Sequence, residues 1–147
     1  MVGPTGVGKT YLCCALAHQA CRPGFTTRYY RVPRLLTELA MAKGDGSYPE
    51  LTRQLARLDV LVLDDWGLAP FTPTDTRELL EVIEDRHLGR STVVASQLPI
   101  ENWYAALGDP TAADAIMDRL VHHAHQLRLT GESMRKHRDP APATSPA

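Results

Sequence analysis

Apolar residues recur at helical spacing in some stretches of this chain and run unbroken in others, and the two patterns alternate. Over 11–21, Leu12, Leu16 and Ala20 form one stripe, with Cys13, Ala17 and Cys21 beside it. That spacing predicts a helix lying on a sheet, stopped by Arg22-Pro23-Gly24. Positions 25–32 are rich in Thr and Tyr and carry charge, which predicts a strand near a sheet edge. A helix opens at Pro33, with Leu35, Leu36, Leu39 and Ala40 inside and Gly44 at its end, and a shorter one covers 49–58. Then Val60-Leu61-Val62-Leu63 forms a continuous apolar run that ends in Asp64-Asp65. Such a run predicts a strand covered on both faces, as in a parallel sheet. Thr72-Pro73 starts a helix with Leu79, Leu80 and Ile83 inside, ending at Gly89. A buried strand follows over 91–95, leading into Ser96-Gln97. A short helix is expected over 99–107, and a longer one from Asp109-Pro110 with Ile116, Leu120 and Ala124 inside. A last strand is expected over 126–130. The alternation predicts an α/β sandwich of three layers with right-handed crossovers and a mainly parallel sheet.

Composition narrows the function classes. A chain of 147 residues with 44% apolar content makes one domain with a sizeable core. The core is expected over 1–136 and a disordered, proline-containing tail over 137–147. A net charge of −1 argues against a strongly basic nucleic-acid binder, although a local patch stays possible. Arg31, Arg34, Arg53 and Arg57 could form one. Cys13, Cys14 and Cys21 share one helix without a C-x-x-C spacing, so small core residues are expected rather than disulfides or zinc ligands. No apolar run is long enough to span a membrane and no signal peptide is visible, so a cytoplasmic protein is expected.

The chemistry starts at Gly3-Pro4-Thr5-Gly6-Val7-Gly8-Lys9-Thr10, which fits the phosphate-binding pattern G-x-x-x-x-G-K-[ST]. Its glycines let backbone N–H groups converge on one anion, and the following helix adds the positive end of its dipole. Lys9 supplies a point charge for the outer phosphates. The Thr10 hydroxyl can ligate Mg²⁺. Only Met1 and Val2 precede Gly3, so the strand that normally feeds such a loop is expected to be missing, and the sheet truncated before it.

A phosphate cradle needs a metal site and an oriented water to become a hydrolase. Asp64 ends the apolar strand where open α/β sheets bind ligands, and can hold Mg²⁺ directly or through water. Asp65 could orient and deprotonate the water. Gln97, ending the next strand, could reach the γ-phosphate or the water, with Ser96 as the alternative. His122, His123 and His125 suggest a metal only weakly, because no carboxylate or cysteine partner is expected close to them. Trp66 and Trp103 read as packing residues.

Taken together, the 3–10 loop, Leu63-Asp64-Asp65-Trp66-Gly67, Ala95-Ser96-Gln97-Leu98-Pro99 and Gly131-Glu132-Ser133-Met134-Arg135-Lys136 resemble the IstB family. These are ATPase helpers encoded by bacterial insertion sequences, similar to DnaC-type helicase loaders within the AAA+ class of P-loop NTPases. The resemblance runs from Gly3 to Lys136. It implies Lys9 and Thr10 as Walker A, Asp64 and Asp65 as Walker B, and Gln97 as sensor 1. Arg119 falls where an arginine finger is placed and Arg135 near sensor 2. It also implies ATP and Mg²⁺ as cofactors and homo-oligomers on double-stranded DNA that deliver it to a transposase. The family's N-terminal region is absent, and its Walker B glutamate is the shorter Asp65. A helicase loader, and a non-functional fragment of either protein, are the alternatives.

Overall fold

The computed structural model describes residues 1–137. Its elements are helix α1 (Lys9–Cys21), strand β1 (Thr27–Arg31), helices α2 (Val32–Asp45) and α3 (Tyr48–Arg57), strand β2 (Val60–Asp64) and helix α4 (Pro73–Arg86). Strand β3 (Ser91–Val94), a 3₁₀ turn at Ile100–Asn102, helices α5 (Trp103–Ala106) and α6 (Pro110–Leu120) and a 3₁₀ turn at Met134–His137 complete the order. Of the tail expected over 137–147, residues 138–147 lie outside the described residues.

The three strands pair in parallel in the order β1-β2-β3, with Arg31 opposite Asp64 and Leu63 opposite Val94. As the charged pattern predicts, β1 is an edge of this sheet. Beyond β3 the sheet continues through residues 1–3. The Met1 ammonium donates to Val94 O at 2.8 Å, Ser96 N to Met1 O at 3.0 Å and Gly3 N to Ser96 O at 3.2 Å. On the other side Val2 N donates to Leu127 O (2.9 Å) and Leu129 N to Val2 O (2.8 Å). The chain entering the phosphate loop therefore lies between the 91–96 and 127–129 segments. The expected strand over 126–130 is reduced to one bridge at Arg128, because its ladder extends only as far as residues 1–3 give it a partner.

Side-chain alternation along β2 divides the interior. Leu61 and Leu63 point into the large core with Leu35, Leu39, Leu55, Leu79, Trp66 and Ile116. Val62 points the other way, onto Cys13 and Ala95. Helix α1 thus covers one face and the remaining helices the other, giving the three layers. Trp66 packs on Phe71 and Trp103 with ring centroids 5.2 and 5.5 Å apart, so both tryptophans are packing residues.

Several faces differ from the pattern. In α1 the buried residues are Lys9 and Cys13, whereas Leu12 and Leu16 are 37% and 49% exposed. The buried Lys9 fixes the helical phase, which brings the i+4 residue Cys13 inward and turns the leucine stripe out. Of the cysteines only Cys13 is a core residue; Cys14 and Cys21 are exposed. In α2 the inner residues are Val32, Leu35, Leu39 and Ala42, and Gly46, with φ 81°, ends the helix instead of Gly44. Helix α4 stops at Arg86, ahead of Gly89, and α6 stops before Ala124.

Arg86, which no apolar pattern selects, is 1% exposed. Its guanidinium donates to the carbonyls of Leu55 (2.5 Å), Leu58 (2.8 Å) and Ser91 (2.5 Å), and its Nε to Thr92 Oγ1 (3.1 Å). It ties the end of α3 and the start of β3 to the last turn of α4. Burial pushes it down to about 10.

Candidate nucleotide site

The 3–10 loop turns between the Met1–Gly3 segment and α1. Gly6 and Gly8 hold positive φ angles of 83° and 102°, conformations closed to most side chains. Gly6 also admits no Cβ, which would lie 2.2 Å from Ser133 Oγ. The 131–136 segment crosses the loop there, and Met134 N donates to Gly6 O at 2.8 Å. This brings Arg135 to the loop's margin with an exposed side chain.

Lys9 is 8% exposed, and its ammonium donates to Gly3 O at 2.6 Å and Pro4 O at 2.7 Å. Burial lowers its pKa, against the opposing charges of Asp64 and Asp65. Thr10 donates to Asp64 Oδ2 at 2.6 Å, joining the loop to the end of β2. That oxygen also accepts the Tyr29 hydroxyl at 2.6 Å, and Oδ1 accepts the backbone N–H of Asp65 at 2.8 Å. Asp64 is 3% exposed, and a buried carboxylate with three donors is a satisfied anion. Asp65 has a φ of 58°, unusual for a non-glycine residue, and accepts Arg31 Nε at 2.6 Å. A hydroxyl and a carboxylate in contact at the mouth of a loop are hard oxygen donors of the kind that suits Mg²⁺.

Gln97 is exposed and lines, with Asp65, Trp66 and Leu98, a groove of about 210 Å³. Ser96 is fully buried. Its hydroxyl donates to Trp66 O (2.5 Å) and accepts from Leu98 N (2.9 Å), so it shapes the turn that presents Gln97. Gly3 to Thr10, Asp64, Asp65, Gln97 and Arg135 thus gather at one end of the sheet. Arg119 does not join them. It sits in the last turn of α6 and donates to Glu84 Oε1 at 2.8 Å, near the start of β3 and at the opposite end of the sheet. A groove of about 950 Å³, lined by Phe25, Val60 and Ser91 among others, also lies at that far end and is remote from the loop.

Of the other candidates, Arg31 and Arg53 are engaged by Asp65 and Glu50. His122 meets Asp118 at 3.0 Å, one helical turn away, so a carboxylate does stand near the histidines. No group of three metal-capable side chains forms among the described residues. No described helix is long and apolar enough to cross a membrane. Tyr29 is the site residue that motif reading passes over. Its signal is positional, since it occupies β1 two residues before the partner of Asp64, on the same sheet face.

Fold and site together define a P-loop nucleotide-binding domain of the AAA+ type. Residues 1–141 match the family described as IstB-like ATP binding protein, and the chain belongs to that family. It is 53% identical over 134 residues to an insertion-sequence ATP-binding protein of Sinorhizobium fredii, covering 91% of this chain and 55% of the relative. It is 57% identical over 99 residues to an insertion-sequence ATP-binding protein of Pseudomonas fluorescens, covering 67% and 43%. The chain spans about half the length of these curated relatives. Among solved structures, DnaI superposes with a TM-score of 0.77 at 25% identity, covering 88% of this chain and 71% of DnaI. The DnaC helicase loader gives 0.74 at 20%, covering 88% and 76%. AMPPCP-bound DnaA from Aquifex aeolicus gives 0.74 at 17%, covering 87% and 39%.

Proposed function

We propose that this chain is the ATP-binding and ATP-hydrolysing core of a cytoplasmic helper for DNA transposition, which assembles on double-stranded DNA and delivers it to a transposase. The observation that carries the nucleotide reading is the 2.6 Å contact between Thr10 and Asp64, which joins a glycine-rich loop to an acidic strand end. In this reading Gly3, Pro4, Thr5, Gly6, Val7 and Gly8 cradle the phosphates with backbone N–H groups, and Lys9 exchanges its two carbonyl partners for phosphate oxygens. Thr10 and Asp64 hold Mg²⁺, which neutralises charge on the phosphates when bound. Asp65 accepts the proton of a water aimed at the γ-phosphorus, with Gln97 orienting that water. The P–O bond to ADP breaks and inorganic phosphate leaves. Arg135 contacts the nucleotide from the 131–136 segment. Arg119, remote from its own loop, serves a neighbouring subunit of a homo-oligomer. The family and the insertion-sequence relatives support the transposition setting.

Titration with a fluorescent ATP analogue tests the site. Lys9→Ala is expected to weaken binding by roughly 10–100-fold, the value of a charge-assisted contact. Asp65→Asn keeps binding and lowers turnover by about 100-fold or more, the range for a lost general base. Unchanged affinity in Lys9→Ala sinks the assignment. The likeness to the DnaC loader favours a second reading, a loader that uses ATP as a switch. The neighbouring gene separates the two: a transposase supports the first and a replication gene the second.

A further inference from the structure

We infer that Tyr29 is a positioning residue of the nucleotide site, whose hydroxyl fixes the Asp64 carboxylate and through it the Thr10 hydroxyl that faces Mg²⁺. The inference rests on reading Thr10 and Asp64 as the cation-facing pair. Strands β1 and β2 run parallel with Tyr29 opposite Val62 and Arg31 opposite Asp64. Side chains at 29, 62 and 64 therefore share the face covered by α1. The diagonal from Tyr29 to Asp64 is within reach of an aromatic side chain.

The donors leave one arrangement. Tyr29 Oη and Thr10 Oγ1 both lie 2.6 Å from Asp64 Oδ2. An ionised carboxylate only accepts, so each hydroxyl spends its single proton on that oxygen. The lone pairs of Thr10 are then directed away from Asp64, and Oδ2 already accepts from two donors. Oδ1 is held by the backbone N–H of Asp65. Asp64 can thus act on a cation through Thr10 and through water more readily than as a direct ligand, and the Tyr29 hydroxyl keeps it from rotating out of that role. On this face of β1, Thr27 meets Cys21 of α1 and Arg31 reaches Asp65, which leaves Asp64 to Tyr29. Outer-shell partners of this kind orient the groups that meet the metal.

Tyr29→Phe removes the hydroxyl and keeps the ring. Binding of a fluorescent ATP analogue is followed against Mg²⁺ concentration and again in EDTA. The Mg²⁺ concentration for half-maximal enhancement is expected to rise about tenfold, the lower value for a lost outer-shell partner. Affinity in EDTA should stay within about twofold of wild type, since no phosphate contact is removed. Counting bound Mn²⁺ by electron paramagnetic resonance at saturating nucleotide should reveal the same shift without turnover. Tyr30→Phe is the control: its hydroxyl lies on the opposite face, between Arg28 and Glu38, and its loss should not move the midpoint. Wild-type binding that ignores Mg²⁺ overturns the reading of Thr10 and Asp64, and this inference with it. A Mg²⁺-dependent wild type with an unmoved Tyr29→Phe midpoint overturns the inference alone. So does an equal loss in EDTA and in Mg²⁺, which would make the hydroxyl a support of the fold.

Discussion

Arg86 and Lys9 are both buried cations, and their partners separate their roles. Arg86 meets three carbonyls and one hydroxyl from the end of α3 and the start of β3, with geometry that a planar fork of donors satisfies. Lys9 meets two carbonyls of one loop, which a phosphate can replace. Arg86 is therefore a cross-brace and Lys9 a movable charge. Arg86→Met removes the guanidinium's bonds to the carbonyls of Leu55, Leu58 and Ser91, at an expected cost of about 3 kcal/mol. Thermal unfolding should show this as a fall in Tm of about 10 °C for a domain of this size. Arg86→Lys should recover only part, because one ammonium cannot span the three acceptors. A variant that melts with wild type would remove the brace. The residue lies outside every motif, and an arginine in a helix's last turn reads from sequence as a solvated charge. Its burial follows from where α3 ends, which local pattern does not encode.

At the level of elements, legibility tracked the strength of the local rule. Thr72-Pro73 predicted the start of α4, and the helix opens with a reciprocal capping box: Asp75 N donates to Thr72 Oγ1 and Thr72 N to Asp75 Oδ2, both at 3.0 Å. Thr72→Ala should cost about 1 kcal/mol. Chemical denaturation would register this as a lower midpoint with an unchanged slope, and an unmoved midpoint would show the cap to be idle. The apolar run of β2 and its acidic end were equally plain, because a strand buried on both faces leaves no alternation to misread. The face of α1 was not. Leu12 and Leu16 outscore Cys13 and Ala17 in hydrophobicity, yet the loop sets the phase through Lys9. The 126–130 strand was misjudged in length for a related reason: a ladder needs a partner as well as a propensity. Tyr29 was hidden because its role is a contact across strands, spelled by register rather than by neighbouring letters.

In the whole molecule the sheet has a chemical end and a remote end. The loop, the acidic pair and Gln97 occupy the first, while Arg119, bonded to Glu84, stands at the second. If Arg119 completes a neighbour's site, as proposed, two inactive variants should complement each other. Arg119→Ala subunits keep the loop and Lys9→Ala subunits keep the arginine, so their mixture should regain part of the ATPase activity through interfaces that combine both. A mixture as inactive as either variant alone, beside an active wild type, would end the role in trans. The pairing of Met1 with Val94 also bears on the order in which the sheet forms. That contact closes a separation of 93 residues, against 33 for the contact of Thr26 with Asp59 beside β1 and β2. Chain closure makes the longer one costlier by about 1 kcal/mol. The β1-β2 pair therefore closes at the lower entropic cost, and the segment leading into the phosphate loop is expected to dock after it. Nucleotide added to a refolding chain would accordingly report on the last step of assembly, well behind the appearance of helices.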